Sequence, residues 1–390
     1  MRTNGFALYM GAGASAMARE AALRVSRYAC EVLTVDGSAA LGGGEALRGA
    51  VALAYSLGGS GLPLVHGFAE GSRRGEYSLV GARGARLYAE RDPLGTRGLW
   101  AVDGGPSSGS VASDYRLLPE GASLVPAGPL PGQAGAVEGG APSLDEAARE
   151  LASLLERSVS ARVAGHSKVA VAFSGGLDSS IMAHLAARDA EVVLCSAFAP
   201  GSRDEGQSER AARLLGLPLE RKVIGEEDLA RAMAARLPPG EATTMDRALW
   251  CVYAAASELA GRAGARLIVL GQLADELFGG YMKYAVEARE RGSASAEAMM
   301  RSDAVACARR AFLRDEAACS RWCEVRFPYA DADISSFAAG IPFDLKVRGG
   351  ERKAVLRAAA VRLGIPEELA AAPKKAAQFS SGAARLLKRL

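Results

Sequence analysis

Apolar positions in the first 140 residues fall in short runs separated by Gly, Pro and Ser: residues 5–10, 30–35, 51–55, 77–80, 85–88 and 99–102. Runs of this length between turn-forming residues predict strands, with one helix over residues 14–26. Residues 103–110 are rich in Gly and Ser. Residues 128–142 are dense in Gly, Pro and Ala, the composition of a linker.

Beyond residue 143 the pattern changes. Alanine- and leucine-rich stretches with helical periodicity predict helices over residues 143–163, 179–188, 207–215, 228–237 and 246–263, and the runs at 168–173, 191–198 and 266–270 are apolar at nearly every position. Strands that are apolar on both faces and alternate with helices imply a parallel sheet covered on both sides. The expected fold class is therefore α/β. Two domains are expected, residues 1–140 and 143–390, because domains usually run to about 100–200 residues. The sequence shows no internal repeat and no coiled-coil heptad.

Charge changes this picture little. Lys plus Arg number 47 against 44 for Asp plus Glu, a net charge of +3 spread over both halves, so nothing points to a nucleic-acid partner. No apolar run reaches the ~18 residues of a membrane helix, and the start of the chain lacks the apolar core of a signal peptide. A cytoplasmic protein without a membrane partner is the expectation. Six cysteines, Cys30, Cys195, Cys251, Cys307, Cys319 and Cys323, are too few for a disulfide scaffold and read as buried thiols. Cys319 and Cys323 have the spacing to share a helix face and hold a metal, yet no second pair or nearby His completes four ligands.

The chemistry begins after residue 168. The apolar run 169–173 leads straight into Ser174, Gly175, Gly176, Leu177, Asp178, Ser179 and Ser180, which open a helix. Adjacent glycines let the backbone approach an anion, and hydroxyls and free amides at a helix N-terminus point at phosphate oxygens. No Gly-Lys-Ser/Thr follows, so this is not a Walker loop. Ser179 acting only as a helix cap is the plainer alternative.

The heptapeptide SGGLDSS resembles the pyrophosphatase loop of N-type ATP pyrophosphatases. A second apolar run, residues 267–270, ends in Gly271, Gln272, Leu273, Ala274, Asp275, Glu276, Leu277, Phe278, Gly279, Gly280 and Tyr281, which is similar to the SGEGADELFGGY segment of asparagine synthetases. Further likeness lies in Arg314-Asp315-Glu316, in residues 324–329 with Asp331, in Ile341-Pro342, in residues 350–357 and in the basic stretch 373–379. The resemblance covers residues 145 to about 382. It implies a doubly wound parallel-sheet ATP pyrophosphatase domain with C-terminal helices, using ATP and Mg2+ to activate a carboxylate, by default aspartate, as an acyl-adenylate.

Magnesium is a hard cation, held by one or two carboxylates together with nucleotide phosphates, and Asp178 and Asp275, each following an expected strand, suit that task. Asp275 as a helix cap is the alternative. The resemblance implies that Lys353 reaches the α-phosphate and the leaving pyrophosphate, a role that suits a compact point charge. A solvated basic face made with Arg352, Arg357, Lys374 and Lys375 would be the plainer reading. The resemblance also maps adenine recognition to Ala172, Phe198, Leu270 and Gly271.

Residues 77–100, with Arg91, Asp92, Pro93, Leu94, Gly95, Thr96 and Arg97, resemble the RDPLGIRPLY stretch of class II glutamine amidotransferase domains. That implies an αββα sandwich, two sheets between helices. Those enzymes attack with a Cys placed directly after the initiating Met; here Arg2 follows Met1, so no glutamine hydrolysis is expected. A second departure is Gln272, three residues before Asp275, where asparagine-forming enzymes carry Glu and the β-lactam-forming relative carries Tyr. A neutral amide takes no proton from an incoming ammonium.

The leading expectation is thus an ATP-dependent amide-forming ligase taking ammonia or an amine from its substrate or a partner. An intramolecular amide synthetase and a non-catalytic nucleotide-binding relative stand beside it. A second copy of the chain or an amine-supplying protein are the partners weighed.

Overall fold

A computed structural model describes ten strands between residues 2 and 124, and then residues 142–235, 237, 242–372 and 381–388; the accounts of side chains below concern the second group. The chain divides into two compact units, Met1–Leu130 and Pro131–Leu390.

The strands of the first unit are β1 (Arg2–Thr3), β2 (Ala7–Met10), β3 (Cys30–Val35), β4 (Ser38–Gly43), β5 (Leu64–Glu70), β6 (Arg74–Arg83), β7 (Arg86–Arg91), β8 (Trp100–Asp103), β9 (Gly109–Ala112) and β10 (Ser123–Leu124). They form a four-stranded sheet in the order β1-β5-β6-β7 and a six-stranded sheet in the order β10-β8-β9-β2-β4-β3. Among these described strands only β1 and β5 run parallel; the other pairs are antiparallel, with Val35 opposite Ser38 in the β3–β4 hairpin. The expected strand over residues 51–55 and the expected helix over residues 14–26 lie outside the described residues.

In the second unit the chain runs α1 (Leu144–Val163), β11 (Lys168–Ala172), α2 (Leu177–Ala186), β12 (Glu191–Phe198), α3 (Arg203–Leu215), β13 (Leu219–Val223), α4 (Glu226–Ala234), α5 (Thr244–Arg262), β14 (Leu267–Val269) and α6 (Ala274–Phe278). It continues through α7 (Met282–Arg291), α8 (Ser293–Ala306), α9 (Phe312–Cys319), β15 (Glu324–Arg326), α10 (Ala332–Gly340), α11 (Phe343–Lys346), the short strands β16 (Val347–Arg348) and β17 (Glu351–Arg352), and α12 (Ala354–Arg362). Helix α1 starts where a reciprocal cap forms: the Glu146 amide donates to Ser143 Oγ at 3.3 Å and the Ser143 amide to Glu146 Oε2 at 2.9 Å.

Strands β13-β12-β11-β14-β15 make one sheet, parallel throughout. β11, β12 and β14 are almost wholly apolar because helices cover both faces. The α/β class and the parallel sheet are those expected. Two strands go beyond the expectation: β13 is an edge strand reading Leu-Glu-Arg-Lys-Val with Glu220 and Arg221 exposed, and β15 is three residues long. Neither presents the apolar run that marks the inner strands.

Strand order fixes where a ligand can sit. From β11 the chain steps outward to β12 and β13, then returns to lay β14 and β15 on the other side, so β11 and β14 flank the point of reversal. There the connections leave in opposite directions and open a crevice beyond the strands' carboxyl ends. The Asp178 and Asp275 segments both emerge into it.

No described helix is long and apolar enough to cross a membrane. Cys319 and Cys323 are buried, and their thiols lie near main-chain oxygens, Cys319 Sγ 3.8 Å from Tyr253 O and Cys323 Sγ 3.4 Å from Ala265 O. They are core thiols, not a metal pair. The basic stretch 373–379 lies outside the described residues.

Candidate active site

After β11, the Phe173 amide still donates to Cys195 O at 2.9 Å, and then the chain turns at Gly175. Gly175 has φ +72°, and a Cβ there would lie 2.6 Å from Gln207 O, so glycine is required both by conformation and by space. Gln207 Nε2 fixes the turn by donating to Gly175 O at 3.0 Å. No side chain caps α2, which begins after Gly176; Ser179 Oγ instead donates to Gly176 O at 3.2 Å. Ser179 therefore does not cap, and the first amides of α2 face the crevice uncovered by a cap.

The opposite wall comes from the turn after β14. Leu273 holds φ +78°, uncommon for a bulky residue, and this kink sets Gln272 on the cavity side before α6 carries Asp275. Asp275 lies within α6, whose N-cap is Leu273, so it is not the cap residue. A Cβ on Gly271 would lie 3.2 Å from Asp178 Cβ, which shows how closely the two connections approach.

Lys353 joins them. Strands β16 and β17 pair Arg348 with Glu351 across Gly349 and Gly350, with φ +57° and +86°, the two positive values that a tight hairpin turn of this type needs. The hairpin delivers Lys353, itself at φ +62°, to the start of α12. Its side chain is 1% exposed, and Nζ lies 2.6 Å from Asp178 Oδ1 and 2.6 Å from Asp275 Oδ1. Among the described residues, the non-glycine residues with positive φ are Leu273 and Lys353, and both belong to this site. Such conformations cost about 1–3 kcal/mol and concentrate where surrounding structure over-determines them for function.

These groups line a cavity of about 260 Å³. One wall is apolar: Met245, Leu249, Val252, Tyr253 and Ala256 repeat at helical spacing along α5, facing Cys195 and Ala197 on one face of β12. The other wall is polar and contains residues to which the sequence alone assigns no role in the site. Glu276 is buried, and Tyr281 Oη donates to its Oε1 at 2.9 Å. Burial first, and then the adjacent Asp275, push the Glu276 carboxyl above its ordinary range. Cys307 and Ala311 lie at the two ends of a five-residue π-helical segment between α8 and α9, the kind of local widening often found at functional sites. Arg314, buried, lines the same wall, with Nη1 3.1 Å from Asp246 Oδ1 and Nε 2.8 Å from Asp315 Oδ1.

Of the positions singled out in the sequence, Ala172, Ser174, Gly176, Asp178, Ser179, Gly271, Gln272, Asp275 and Lys353 line this cavity. Gly175 supports the loop from behind. Ser180, Phe198 and Leu270 are buried beside the wall and do not line it; Phe198 follows Ala197 by one residue, so strand alternation turns its ring to the other face, and its carbonyl accepts from the Ile224 amide at 2.8 Å. Glu276 and Tyr281 carry a signal in the sequence, since both lie in the segment 271–281. Cys307, Ala311 and the α5 face carry no such signal.

The Asparagine synthase family model matches residues 150–310 and 287–390. The chain is 30% identical over 279 residues to the protein described as "Putative asparagine synthetase, glutamine-hydrolyzing, 1" of Methanocaldococcus jannaschii, a match covering 63% of this chain and 51% of that one. It is 29% identical over 179 residues to asparagine synthetase domain-containing protein 1 of Mus musculus, covering 42% and 28%. The chain thus matches about half or less of the length of these curated relatives. A solved structure of NMN synthetase from Francisella tularensis aligns at 11% identity over 62% of this chain and 79% of that one, with a TM-score of 0.34.

Proposed function

Since the chain belongs to the asparagine synthase family, we propose that its second unit binds ATP with magnesium and activates a carboxylate as an acyl-adenylate, releasing pyrophosphate, before ammonia or an amine takes the acyl group. The observation that carries this reading is the convergence of Asp178, Asp275 and Lys353 on one point at the carboxyl edge of the sheet.

The residues fit both ligands. ATP needs a cradle free of side chains, and Gly175 and Gly271 are positions where a Cβ would crowd the loop or Asp178. Among the described residues no group of three or more His, Cys, Asp or Glu could hold a metal. Two carboxylates are nevertheless what magnesium takes when phosphates and water complete its shell, and it would supply charge neutralisation at the phosphates.

The chain's own groups then divide the work. The capless start of α2 and the Ser174 and Ser179 hydroxyls bind phosphate oxygens, and the apolar face of α5 with β12 shields the nucleotide from water. Lys353, already directed into the cavity, neutralises charge on the α-phosphate and the departing pyrophosphate, where such a preorganised cation is worth ~100-fold or more in rate. Gln272 lines the cavity without being able to take a proton, so either another base deprotonates the incoming ammonium or the acceptor differs from that of the asparagine-forming enzymes.

The test is to incubate the protein with ATP, magnesium, ammonium and a panel of carboxylic and amino acids, and to follow AMP and pyrophosphate. Product formation that requires a carboxylate and falls ~100-fold or more in Lys353→Ala is expected, with Asp178→Ala weakening Mg·ATP binding in titration. ADP with phosphate as products, or wild-type rates in Lys353→Ala, would overturn the reading. Gln272→Glu separates the acceptors: asparagine formation that holds or rises indicates ammonia, and loss of product indicates another amine.

A further inference from the structure

The wall of the cavity already holds a cation of the protein's own. Lys353 Nζ sits between two carboxylates, 2.6 Å from Asp178 Oδ1 and 2.6 Å from Asp275 Oδ1, with 1% of its side chain exposed. Two carboxylate oxygens gathered about one cation are also the donors that a hard divalent ion would use there. One place cannot hold both cations. Building on the function proposed above, we propose that Lys353 is a resident counter-ion: in the nucleotide-free protein its ammonium holds the metal's place between Asp178 and Asp275, and the metal enters only with the nucleotide, whose phosphate oxygens then receive the displaced ammonium.

Three features of the fold support this. First, the lysine is held in place by its backbone: the Gly349-Gly350 hairpin and the start of α12 fix it at φ +62°, a conformation seldom adopted by a residue with a long side chain. Second, room has been left for it. A Cβ on Gly280 would lie 2.4 Å from Lys353 Cε and 1.9 Å from Asp275 Oδ1, so any side chain at that position would collide with this ion pair. Third, the protein alone offers a metal too few ligands to compete. No third acidic, His or Cys ligand joins the two aspartates among the described residues, whereas two half-buried carboxylates facing each other without a cation would repel one another. The lysine therefore stabilises the site before nucleotide arrives, and the phosphates tip the exchange by offering oxygen ligands to the metal and a new anionic partner to the ammonium.

Mn2+ serves as the probe, with the free ion measured by electron paramagnetic resonance. Wild-type protein is expected to bind Mn2+ weakly in the absence of nucleotide and tightly with ATP. Lys353→Met should bind Mn2+ alone at least about tenfold more tightly than wild type, and its lowered melting temperature should recover on adding Mn2+ alone. Equal affinities of the two proteins for Mn2+ alone would overturn the proposal. A wild type that binds no Mn·ATP would instead refute the ATP reading, and the comparison of the two proteins with metal alone would still decide the counter-ion role. Should the variant not fold, the side-chain ammonium signal of Lys353 in 15N-labelled wild type decides: it should stay unchanged with Mg2+ alone and shift with Mg·ATP. A shift produced by Mg2+ alone, or none with a saturating amount of bound Mg·ATP, would overturn the proposal.

Discussion

Gly280 is where a single methyl group should do most damage. Its Cβ would lie 1.9 Å from Asp275 Oδ1 and 2.4 Å from Lys353 Cε, and real Cβ contacts below 3.0 Å essentially do not occur, so about 1.1 Å must be found. The backbone cannot easily supply it. The Gly280 amide donates to Asp275 O at 2.8 Å, and its carbonyl accepts from Arg352 Nη1 at 2.8 Å, so both sides of the residue are tied to the site. Gly280→Ala must therefore push Asp275 and Lys353 apart. Overpacking of this kind costs about 1–3 kcal/mol, which for a unit of this size corresponds to a melting temperature lower by about 2–12 °C. A displacement near 1 Å at a reacting site costs ~100-fold in rate.

The assay is pyrophosphate release beside thermal unfolding, with Gly206→Ala as the control. Gly206 lies within α3 with nothing within 4 Å of its would-be Cβ, so alanine there should add about 0.5–1 kcal/mol of stability and leave turnover alone. A Gly280→Ala protein with wild-type turnover and melting temperature would refute the argument that the Asp275–Lys353 contact is tightly placed and needed.

Burial pushes the Asp315 carboxyl up to about 6 despite its contact with Arg314. Its folded value exceeds the ordinary value of 3.8, so the folded protein holds this proton more tightly, and the associated stability is full below that ordinary value and lost as pH rises through about 6. Urea unfolding should show Asp315→Asn lacking that decline, a difference on the order of 2–3 kcal/mol; parallel profiles would refute it. Cys195, Cys251, Cys307, Cys319 and Cys323 are buried with thiols pushed up by burial, so a disulfide exchange reagent should titrate no more than one of the six thiols before unfolding. Rapid reaction of two or more in the folded protein would contradict the core described. Ser143→Ala removes the Oγ that receives the Glu146 amide and should cost about 0.5–2 kcal/mol in denaturant titration without altering nucleotide binding.

Part of this arrangement is legible without any fold. β11, β12 and β14 are apolar on both faces because both faces are covered, and that pattern survives in one dimension. Gly175 is legible because a turn through φ +72° against Gln207 O leaves almost no other choice. Helix starts are less exact: α3 begins at Arg203, four residues before the expected start, since Gly206 and the polar first turn mask its periodicity. β13 escapes the pattern because an edge strand in solvent needs no apolar run.

By itself the sequence determined the α/β class, the loop from Ser174 to Ser180, and Asp178 and Asp275 as acids following apolar strands, because each is written in local spacing that survives without a fold. What it left open, only the tertiary structure decided. Lys353 is 175 residues from Asp178 in the chain, yet the two lie 2.6 Å apart. Glu276 and Tyr281 acquire their setting through burial, and the apolar wall of α5 acquires its role by facing β12 across the cavity. Local pattern records what a residue needs from its neighbours in sequence. Which distant charges share one buried space is set by strand order and by the reversal between β11 and β14, and no short stretch of sequence carries that information.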